Sequence, residues 1–271
     1  MTQLEKAVIL ITGASGGFGQ ELTRQLLEYG SRLILSDLSE AALLKQAQTI
    51  QQQVTTGEII ACIACDLSDL QGCQTLYDQV KALNISVDIL INNAGIGLFG
   101  RMDEVPPDKW EQLMQVNLLA PMRLSTLFVA DMITRRKGHI VNISSLAGWA
   151  ALEGMAHYAA SKYGLRGFSE GLYSEVKTYN VQVTAVYPFF SRTPILQSQR
   201  YGTLGSIYQD YPLSMATDPA QVMRQTLKGV INNQLHVFPD ITAKWIQFLK
   251  RYFPDLLDWL RERLDKKLKK R

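Results

Sequence analysis

The sequence predicts an α/β protein with a doubly wound parallel sheet, because short apolar strands alternate with helical patterns along most of the chain. Residues 7–12, for instance, are apolar without alternation, as expected of a strand buried on both faces. Strand and helix alternate in this way six times, which favours parallel pairing with helices on both sides of the sheet. The strands are predicted at residues 7–12, 32–36, 58–64, 87–91, 139–143 and 181–187, with a short closing strand at 235–238.

Helical periodicity fills the segments between these strands. The longest helical segment, residues 107–136, contains Asn117 and Pro121. Because proline removes a backbone hydrogen bond, we expect this helix to be distorted near Asn117. The other helices are predicted after residue 19, at 40–53 and 69–83, around Tyr158 as far as about 178, and at 219–231.

Residues 188–218 interrupt the alternation. This segment holds three prolines and mixes aromatic residues with glycines. A stretch of this length without clear periodicity is often a lid over an active site. We therefore predict one domain, residues 1–242, which includes the lid, followed by a helical tail at residues 243–271.

Composition limits the class of protein. The chain has 271 residues, of which 46% are hydrophobic and 20% charged, as is usual for a globular domain. It contains no run of about 18 apolar residues, so we expect no membrane-spanning helix. The polar start, residues 1–6, lacks the pattern of a secretory signal, and we expect a cytoplasmic location.

The three cysteines lie at positions 62, 65 and 73. Cys62 and Cys65 form a Cys-x-x-Cys pattern, which occurs in metal and redox sites. Residues three apart in a strand point to opposite faces, however, and the chain has no second pattern of this kind. We therefore predict ordinary thiols and no metal site.

A glycine-rich turn follows the first strand and leads directly into the first helix. It reads Gly13-Ala14-Ser15-Gly16-Gly17-Phe18-Gly19. The free backbone N–H groups and the dipole at a helix N-terminus attract anions, and glycines let a pyrophosphate approach the backbone closely. A plain strand-to-helix turn needs fewer glycines, so this turn predicts a dinucleotide site.

Asp37 ends the second strand, eighteen residues after Gly19. A dinucleotide-binding fold places at this point the acid that accepts hydrogen bonds from the adenosine ribose. A carboxylate here repels a 2′-phosphate, which favours NAD over NADP. The alternative is that Asp37 caps the next helix, although Ser39 fills that role equally well.

Tyr158 and Lys162 lie four residues apart, so they share one face of a helix. A lysine ammonium beside a phenol favours the phenolate, and we expect the pKa of Tyr158 to fall toward neutral pH. Ser145 stands thirteen residues before the tyrosine, beyond the fifth strand. Tyr158 is therefore a candidate general acid and base for a hydroxyl or carbonyl group.

Taken together, these motifs resemble the short-chain dehydrogenase/reductase family in its single-domain form. Each motif alone occurs by chance elsewhere, but their order and spacing agree with the family over residues 7–193. The matching positions are Thr12-Gly13-x-x-x-Gly17-x-Gly19, Asp66 after the third strand, Asn92-Asn93-Ala94-Gly95 after the fourth, Asn117, Ser145 and Tyr158-x-x-x-Lys162.

The resemblance implies an oxidoreductase that interconverts an alcohol and its aldehyde or ketone by hydride transfer. In it, Tyr158 passes the proton, Ser145 hydrogen-bonds the substrate oxygen, with Ser144 as an alternative, and Lys162 lowers the tyrosine pKa and holds the nicotinamide ribose. Asn117 would hold a water that links Lys162 to solvent. The implied cofactor contacts are Thr12, Gly13, Ser15, Gly17, Phe18, Gly19, Asp37, Asp66, Leu67, Asn93, Ala94, Gly95, Tyr158, Lys162, Pro188 and Thr193.

The resemblance also bears on the choice of cofactor. Members that prefer NADP usually carry Arg or Lys at the positions of Gly16 or Leu38 in this chain. Their absence agrees with Asp37 in favouring NAD. Arg32 lies at the start of its strand, too far from the strand's end to bind the phosphate of NADP.

One departure from the family concerns the substrate. Where members commonly have Pro-Gly after the sixth strand, this chain has Pro188-Phe189, and Thr193 follows. Such a change resembles members that act on lipophilic alcohols such as retinoids or steroids. We expect an apolar substrate pocket, unless these side chains belong to the core. Its predicted walls are Phe99, Trp149, Leu152, Phe189 and Phe190.

The tail separates apolar from charged positions. Residues 244–271 contain ten Lys/Arg against four Asp/Glu, a net charge of +6, whereas the whole chain has +3. One apolar stripe runs from Trp245 to Phe253, and a second follows Pro254. Such a tail docks on its own domain, on a partner subunit or on an anionic membrane. A nucleic-acid partner is not expected, because the charge lies on a terminal amphipathic segment.

The resemblance implies a homodimer or homotetramer, formed through the helix that contains Tyr158 and the helix before it. Three alternatives to an NAD-dependent enzyme are kept. The first is an NADP-dependent carbonyl reductase, the second a catalytically silent nucleotide-binding regulator, and the third a membrane-surface adaptor organised around the tail. The intact Ser145, Tyr158 and Lys162 speak against a silent scaffold, which needs none of them.

Overall fold

The computed structural model describes residues 1–207 and 216–268. Within them, seven parallel strands form one sheet in the order β3-β2-β1-β4-β5-β6-β7. This topology confirms the doubly wound α/β fold, and the observed strands agree with the predicted ones to within two residues. The strands are β1 (Val8–Thr12), β2 (Arg32–Asp37), β3 (Glu58–Ala64), β4 (Ile89–Asn92), β5 (Gly138–Ile143), β6 (Val181–Val186) and β7 (His236–Val237).

Helices cover both faces of the sheet. On the first face lie α1 (Gly17–Glu28), α2 (Glu40–Gln53) and α8 (Pro219–Ile231). On the second lie α3 (Leu70–Ala82), α5 (Ala120–Arg135) and α6 (Ala156–Val176). The remaining helices are α4 (Pro107–Met114), α7 (Gly202–Ile207), α9 (Ile241–Tyr252) and α10 (Pro254–Leu268).

Side chains of β1 enter two cores in turn, as the pleat of a strand requires. Ile9 and Ile11 pack in the first core, with α1, α2 and α8. Val8 and Leu10 pack in the second, with α3, α5 and α6. Each large aliphatic side chain so buried contributes about 1.5–3 kcal/mol. The unbroken apolar run of the strand thus follows from burial on both faces.

The long helical segment of residues 107–135 is distorted where the sequence predicts it. A π-helical turn, Gln115–Leu119, joins α4 to α5, and the backbone N–H of Ala120 donates to the carbonyl oxygen of Gln115, five residues back. Pro121 has no N–H to donate to the carbonyl of Asn117. The ladder of hydrogen bonds therefore changes register at Asn117, which is fully buried.

Among the described residues, one helical segment, Pro107–Arg135, is long and apolar enough to cross a membrane by length and composition alone. The sequence predicted no membrane-spanning helix, because polar residues interrupt the apolar run of this segment. Ala120, Leu124, Phe128 and Met132 of this segment are buried in the second core. Packing against the sheet therefore accounts for its apolar composition.

The two cysteines of the Cys-x-x-Cys pattern are divided between the faces of the sheet, as predicted, and both are partly buried. Cys62 packs with the first core and Cys65 with the second, on opposite faces of the sheet. All three thiols, including that of Cys73, are free, and burial raises their pKa values. No group of three or more His, Cys, Asp or Glu side chains is placed to hold a metal within the described ranges.

The predicted lid contains some regular structure. A 3₁₀ turn, Pro194–Gln197, and the short helix α7 lie within it. The backbone of Phe99, in the loop after β4, pairs with that of Arg200, so the lid and this loop are joined. Residues 208–215, which the lid prediction includes, lie outside the described residues.

The tail forms two helices that contact each other, α9 and α10, broken at Pro254 as the sequence indicates. Asp240 caps α9 by accepting a hydrogen bond from the Ala243 N–H at 2.7 Å, and its other oxygen accepts one from the Phe189 N–H at 3.0 Å. The first turn of α9 is thus attached to the start of the lid. The tail begins two residues before the predicted boundary.

Candidate active site

The carboxyl ends of β1 and β4 meet at the centre of the sheet. These strands are neighbours, yet β1 leads to α1 on one face and β4 leads to α4 and α5 on the other. In an open parallel sheet, the crevice at such a reversal of strand order binds the ligand. The sequence motifs that follow β1 and β4 lie at this crevice.

Thr12 and Asn93 join the two strand ends. The Thr12 hydroxyl accepts hydrogen bonds of 3.1 Å from the backbone N–H groups of Asn93 and Ala94. The Asn93 amide donates back to the carbonyl oxygens of Thr12 and Gly13, at 3.0 and 2.9 Å. Both side chains therefore shape the crevice by bonding to backbone, a role that the sequence did not distinguish from contact with a cofactor.

Two glycines of the turn are required by its geometry. Gly13 has φ of +64°, and a Cβ there would lie 2.7 Å from the Cα of Ala94. A Cβ at Gly19 would lie 2.2 Å from the carbonyl oxygen of Gly13. Side chains at these positions would push β4 away and unwind the first turn of α1. The turn thus keeps a helix N-terminus with exposed backbone N–H groups at the crevice.

Asp37 faces the glycine turn. One carboxylate oxygen accepts a hydrogen bond from the Ser15 N–H and the other from the Leu38 N–H, both at 2.8 Å. The cap of α2 is Ser39, whose hydroxyl accepts from the Ala42 N–H. The capping alternative for Asp37 is therefore wrong. Arg32 pairs with Glu58 at the opposite end of β2, as its position indicates.

The crevice fits a dinucleotide. The hydroxyl oxygens of Ser15 and Ser36 are buried and have no hydrogen-bond partner in the part of the chain that the structure describes. Two polar groups near Asp37 can therefore hydrogen-bond to a ligand. A Cβ at Gly17 would lie 2.7 Å from Cγ2 of Thr193. The base of the lid thus packs directly against the glycine turn, beside the exposed N-terminus of α1.

Lys162 is buried at the carboxyl end of β5. Its ammonium donates a hydrogen bond of 3.0 Å to the carbonyl oxygen of Ile143 and lies 5.6 Å from the centre of the Tyr158 ring. Complete burial lowers the pKa of Lys162 to about 8. The lysine therefore remains largely charged at neutral pH, beside the tyrosine.

The two adjacent serines have different surroundings. The Ser144 hydroxyl is buried and donates a hydrogen bond of 3.0 Å to the carbonyl oxygen of Lys162. Ser145 is partly exposed, and its hydroxyl oxygen accepts from the Ala147 N–H at 3.1 Å. The Ser144 hydroxyl proton is thus committed to the backbone, which favours Ser145 over Ser144 as the substrate-facing hydroxyl.

Asn117 lies beside Lys162, across the backbone of Gly95. A Cβ at Gly95 would lie 3.3 Å from Oδ1 of Asn117 and 3.7 Å from Nζ of Lys162. The Asn117 amide holds the loop after β4, because it accepts from the Ile96 N–H at 2.8 Å and donates to the Ile96 carbonyl at 2.9 Å. The π-helical turn therefore delivers Asn117 to the lysine.

The structure adds a polar network beneath the site, of which the sequence analysis named only Asn92, as part of its motif. Beneath the site, the Asn92 amide donates to Oδ1 of Asn142 at 2.8 Å, and the Asn142 amide donates to the Ser169 hydroxyl at 2.9 Å. This network links β4, β5 and α6. His157, next to Tyr158, contacts the carbonyl oxygen of Leu98 at 3.0 Å. In the sequence, these residues could have been recognised as polar positions inside otherwise apolar strand and helix patterns.

Four further predicted cofactor contacts are placed by the structure as follows. Asp66 follows β3, and its carboxylate accepts a hydrogen bond from the Ser68 N–H at 2.9 Å. Leu67 beside it is buried in the second core. The carbonyl oxygen of Pro188, after β6, accepts from the Leu146 N–H at 2.9 Å. Phe18 packs partly buried against the first core.

The predicted walls of the substrate pocket are only partly brought together. The Phe99 ring lies against Gly154, close in sequence to the exposed Leu152. Phe189 and Phe190 contact each other, with ring centres 4.8 Å apart, at the start of the lid. They remain candidates for the pocket.

Trp149 was predicted as a wall of the pocket, and the structure places its side chain elsewhere. Its ring packs edge-on against Tyr187 and Phe238, with centres 5.8 and 5.4 Å apart, beside β6 and β7. The Arg166 guanidinium lies 3.4 Å from the centre of the indole on the other side. The position of Trp149 in a loop does not specify which way its side chain points. In the structure, Tyr187 and Phe238 hold the indole at the edge of the sheet.

Sheet topology, glycine turn and the tyrosine–lysine pair define a dinucleotide-binding protein of the doubly wound class. The profile of the short chain dehydrogenase family matches residues 7–203, most of the chain. The chain therefore belongs to the short-chain dehydrogenase/reductase family, whose members are NAD(P)-dependent oxidoreductases.

Relatives and solved structures agree with this assignment. Epidermal retinol dehydrogenase 2 of Mus musculus is 30% identical over 250 residues, covering 91% of this chain and 78% of that protein. 3-Ketodihydrosphingosine reductase of Bos taurus is 30% identical over 235 residues, covering 86% and 71%. A short-chain dehydrogenase of Sphingobium yanoikuyae, solved in complex with NADPH, is 26% identical, with a TM-score of 0.77 and coverage of 96% and 95%.

Proposed function

We propose that the protein interconverts a lipophilic alcohol and its aldehyde or ketone, with NAD(H) as the favoured cofactor. The observation that carries this proposal is the convergence of Asn117 and Lys162 at Gly95, with the Tyr158 ring beside the lysine and Ser145 just after β5. A scaffold that only binds nucleotide would have no use for this set.

Tyr158 is assigned the proton transfer to and from the substrate oxygen. Its side chain is 8% exposed, at the edge of a small apolar cluster with Leu98, Val105 and Leu113. The Lys162 ammonium, 5.6 Å from the ring centre, stabilises negative charge on the phenol oxygen. The Ser145 hydroxyl is assigned to hold and polarise the same substrate oxygen.

Lys162 has further protons to donate. One goes to the Ile143 carbonyl, and the ammonium has two more for a ribose hydroxyl and for a water held by Asn117. That water would return protons from solvent to the lysine. A nicotinamide bound in the crevice would supply or accept the hydride.

The preference for NAD rests on Asp37. Its carboxylate lies at the glycine turn, and no Arg or Lys stands at positions 16 or 38. Ribose hydroxyls donate to a carboxylate, whereas a 2′-phosphate would be repelled by it. A second candidate is an NADP(H)-dependent carbonyl reductase, because the similar dehydrogenase of Sphingobium was solved in complex with NADPH.

The lipophilic substrate is supported by the aromatic residues at the lid. Phe189 stands where many members of the family have glycine, and Phe190 lies against it. The names of the two relatives refer to retinol and to 3-ketodihydrosphingosine, both lipophilic compounds. We propose that Phe99, Leu152, Phe189 and Phe190 contact the apolar part of the substrate.

The assembly and the location are part of the same proposal. α5 and α6 are the helices expected to form the interface of a homodimer or homotetramer. We propose a cytoplasmic protein that makes peripheral contact with a membrane through its C-terminal helices.

Titration of the purified protein with NADH and with NADPH, followed by fluorescence, tests the cofactor. Tighter binding of NADH is expected and sets the cofactor for a screen of lipophilic alcohols and ketones. Tighter binding of NADPH would replace NAD by NADP in the proposal. Failure to bind either would contradict the proposed hydride transfer and would favour a scaffold that keeps the fold without its chemistry.

A further inference from the structure

The helix α9 carries an apolar stripe on its outer side. Ile241, Trp245, Phe248 and Tyr252 follow one another at intervals of four, three and four residues, which places them on one face of a helix. Their exposed fractions are 68%, 60%, 42% and 58%. Four large apolar side chains in a row are therefore presented to solvent by α9.

The opposite side of α9 already packs on the domain. Ala243, half a turn away from Trp245, is fully buried, and the Asp240 cap bonds to the Phe189 backbone. Among the described residues, α9 docks by this side, and its aromatic stripe stays exposed on the other. The sequence left this choice open, and in the described part of the chain the stripe is not docked on its own domain.

The helix α10 extends the same kind of surface. It buries Leu257, which is only 5% exposed, and displays Leu256, Trp259 and Leu260 at 45%, 47% and 37% exposure. Phe253, at the junction of the two helices, is 51% exposed. We call these eight exposed side chains of residues 241–260 the tail face. An apolar surface of this extent marks an interaction site.

Cations accompany the tail face. Lys244 and Arg251 are exposed and lie seven residues apart, on one flank of the stripe of α9. The Arg263 guanidinium lies 4.0 Å from the centre of the Trp259 ring. The sequence of residues 244–271 has a net charge of +6, against +3 for the whole chain. The rest of the protein is therefore acidic, and most of the positive charge of the tail follows the tail face in the sequence, since residues 261–271 alone have a net charge of +5.

We propose that the tail face docks on the surface of an anionic lipid bilayer. Aromatic and aliphatic side chains would enter the interfacial layer, where Trp and Tyr are favoured, and the flanking cations would pair with acidic head groups. A second copy of the chain suits this surface less well. Symmetric contact through the tail face would bring together two segments of +6 each.

Flotation with vesicles tests the docking on the full-length protein. One set of vesicles is phosphatidylcholine alone, and the other contains phosphatidylglycerol as well. We expect flotation with the phosphatidylglycerol vesicles, a weakening as salt is raised, and at least about tenfold weaker partition to phosphatidylcholine alone. Equal partition to both kinds of vesicle, or no flotation with either, would overturn the proposal.

Paired variants locate the surface. Trp245→Ala with Phe248→Ala is expected to lower partition to anionic vesicles at least about tenfold, because two aromatic side chains would no longer enter the interfacial layer. The matched control is Leu44→Ala with Tyr179→Ala, two side chains of similar exposure (46% and 43%) outside the tail face. The control should float as the unchanged protein does. Equal effects of the two pairs would refute docking through the tail face.

The same variants separate the bilayer from a second copy of the chain. Light scattering after size-exclusion chromatography should give one oligomeric mass for the unchanged protein and for the Trp245/Phe248 variant. A lower mass for that variant would show that subunits cover the tail face, and would overturn the proposal. Titration with NADH checks that each variant is folded, and its outcome also tells a failure of docking from a failure of the proposed catalytic function.

Discussion

The ammonium of Lys162 donates a hydrogen bond of 3.0 Å to the backbone carbonyl oxygen of Ile143. Ile143 ends β5, so this bond holds α6 against the carboxyl end of the strand at the active site. Burying a cation costs free energy, which is why the pKa of Lys162 falls to about 8. The folded structure therefore holds Lys162 in a buried position, although an isolated ammonium group is more stable in water.

The first prediction concerns stability and pH in the absence of cofactor. The unfolded lysine titrates near 10.5 and the folded one near 8, so the unfolded state binds more protons between these values. The burial of Lys162 therefore costs most below pH 8, and this cost is relieved as pH rises toward 10.5. Between pH 7.5 and 9.5 the relief is roughly 2 kcal/mol.

Urea unfolding of the protein and of Lys162→Met at these two pH values measures it. The difference in free energy of unfolding between the two proteins should shift by that amount in favour of the unchanged protein at the higher pH. A difference that does not change with pH would mean that Lys162 is not desolvated in the folded state.

The second prediction concerns Tyr158. Replacing it with Phe removes the phenol hydroxyl and keeps the ring, so turnover should fall by about a thousandfold or more. Affinity for the dinucleotide should change by no more than a few fold. Tyr163→Phe is the matched control, since Tyr163 lies on the same helix and its hydroxyl donates to the Trp149 carbonyl. Turnover that survives in Tyr158→Phe would assign the proton transfer to another group.

The third prediction separates Ser145 from Ser144. Ser145→Ala should lower kcat/KM about a hundredfold or more, through loss of a hydrogen bond to the substrate oxygen, and should cost about 1 kcal/mol of stability at most, for the lost bond from the Ala147 N–H. Ser144→Ala should cost about 1 kcal/mol of stability, because it removes the bond to the Lys162 carbonyl. Assays of kcat/KM and urea unfolding of both variants measure the two effects. The reverse pattern would make Ser144 the catalytic hydroxyl.

The fourth prediction concerns Asp37. Asp37→Ala removes the carboxylate at the glycine turn, so the ratio of NADH to NADPH affinity should fall roughly tenfold or more. The ratio is the quantity to follow, because loss of the bond to the Ser15 N–H weakens both cofactors together. Asp69→Ala, which removes the cap of α3, is the control and should leave the ratio unchanged. An unaltered ratio in Asp37→Ala would place the selectivity elsewhere.

The fifth prediction concerns acid stability. His139 is fully buried between the hydroxyls of Thr2 and Thr184, at 2.8 Å from each, and burial lowers its pKa to about 3. Between pH 6.5 and 3 only the unfolded state gains a proton at this residue. Its contribution is thus complete above pH 6.5 and is lost as pH falls toward 3, by up to roughly 5 kcal/mol.

Acid unfolding of the protein and of His139→Gln measures this contribution. The variant should be less stable at neutral pH, where two hydrogen bonds are lost or altered. Its stability should also fall less steeply below pH 6.5. If the free energy of unfolding of the two proteins fell equally steeply below pH 6.5, the folded protein would accommodate the charged imidazole.

Much of the fold follows from the sequence because the signals are local. The strand β1 is an unbroken apolar run, the turn after it requires glycine at positions 13 and 19, and Pro121 explains the distortion at Asn117. The grouping of Asn117 and Lys162 around Gly95 follows from one further rule, that the carboxyl ends of parallel strands meet at one edge.

Other features depend on contacts between distant residues. The direction of Trp149 was predicted wrongly, because Tyr187, Arg166 and Phe238 determine it and a loop sequence does not specify them. The bond between Asp240 and the Phe189 backbone joins residues 51 apart, and helix-capping rules predict only its capping half. The difference between Ser144 and Ser145 likewise depends on where the backbone of α6 passes.

The π-helical turn Gln115–Leu119 sets the phase between two helices, and its consequence concerns chain length. Leu113 in α4 packs with Tyr158, whereas Leu124 and Phe128 in α5 pack beneath the sheet. The one extra residue in the turn lets both faces point inward. Deleting a residue there would rotate one helix by about 100° relative to the other. An insertion or deletion in this segment would therefore misplace Asn117 or one of the two helices, so the length of the segment should be invariant.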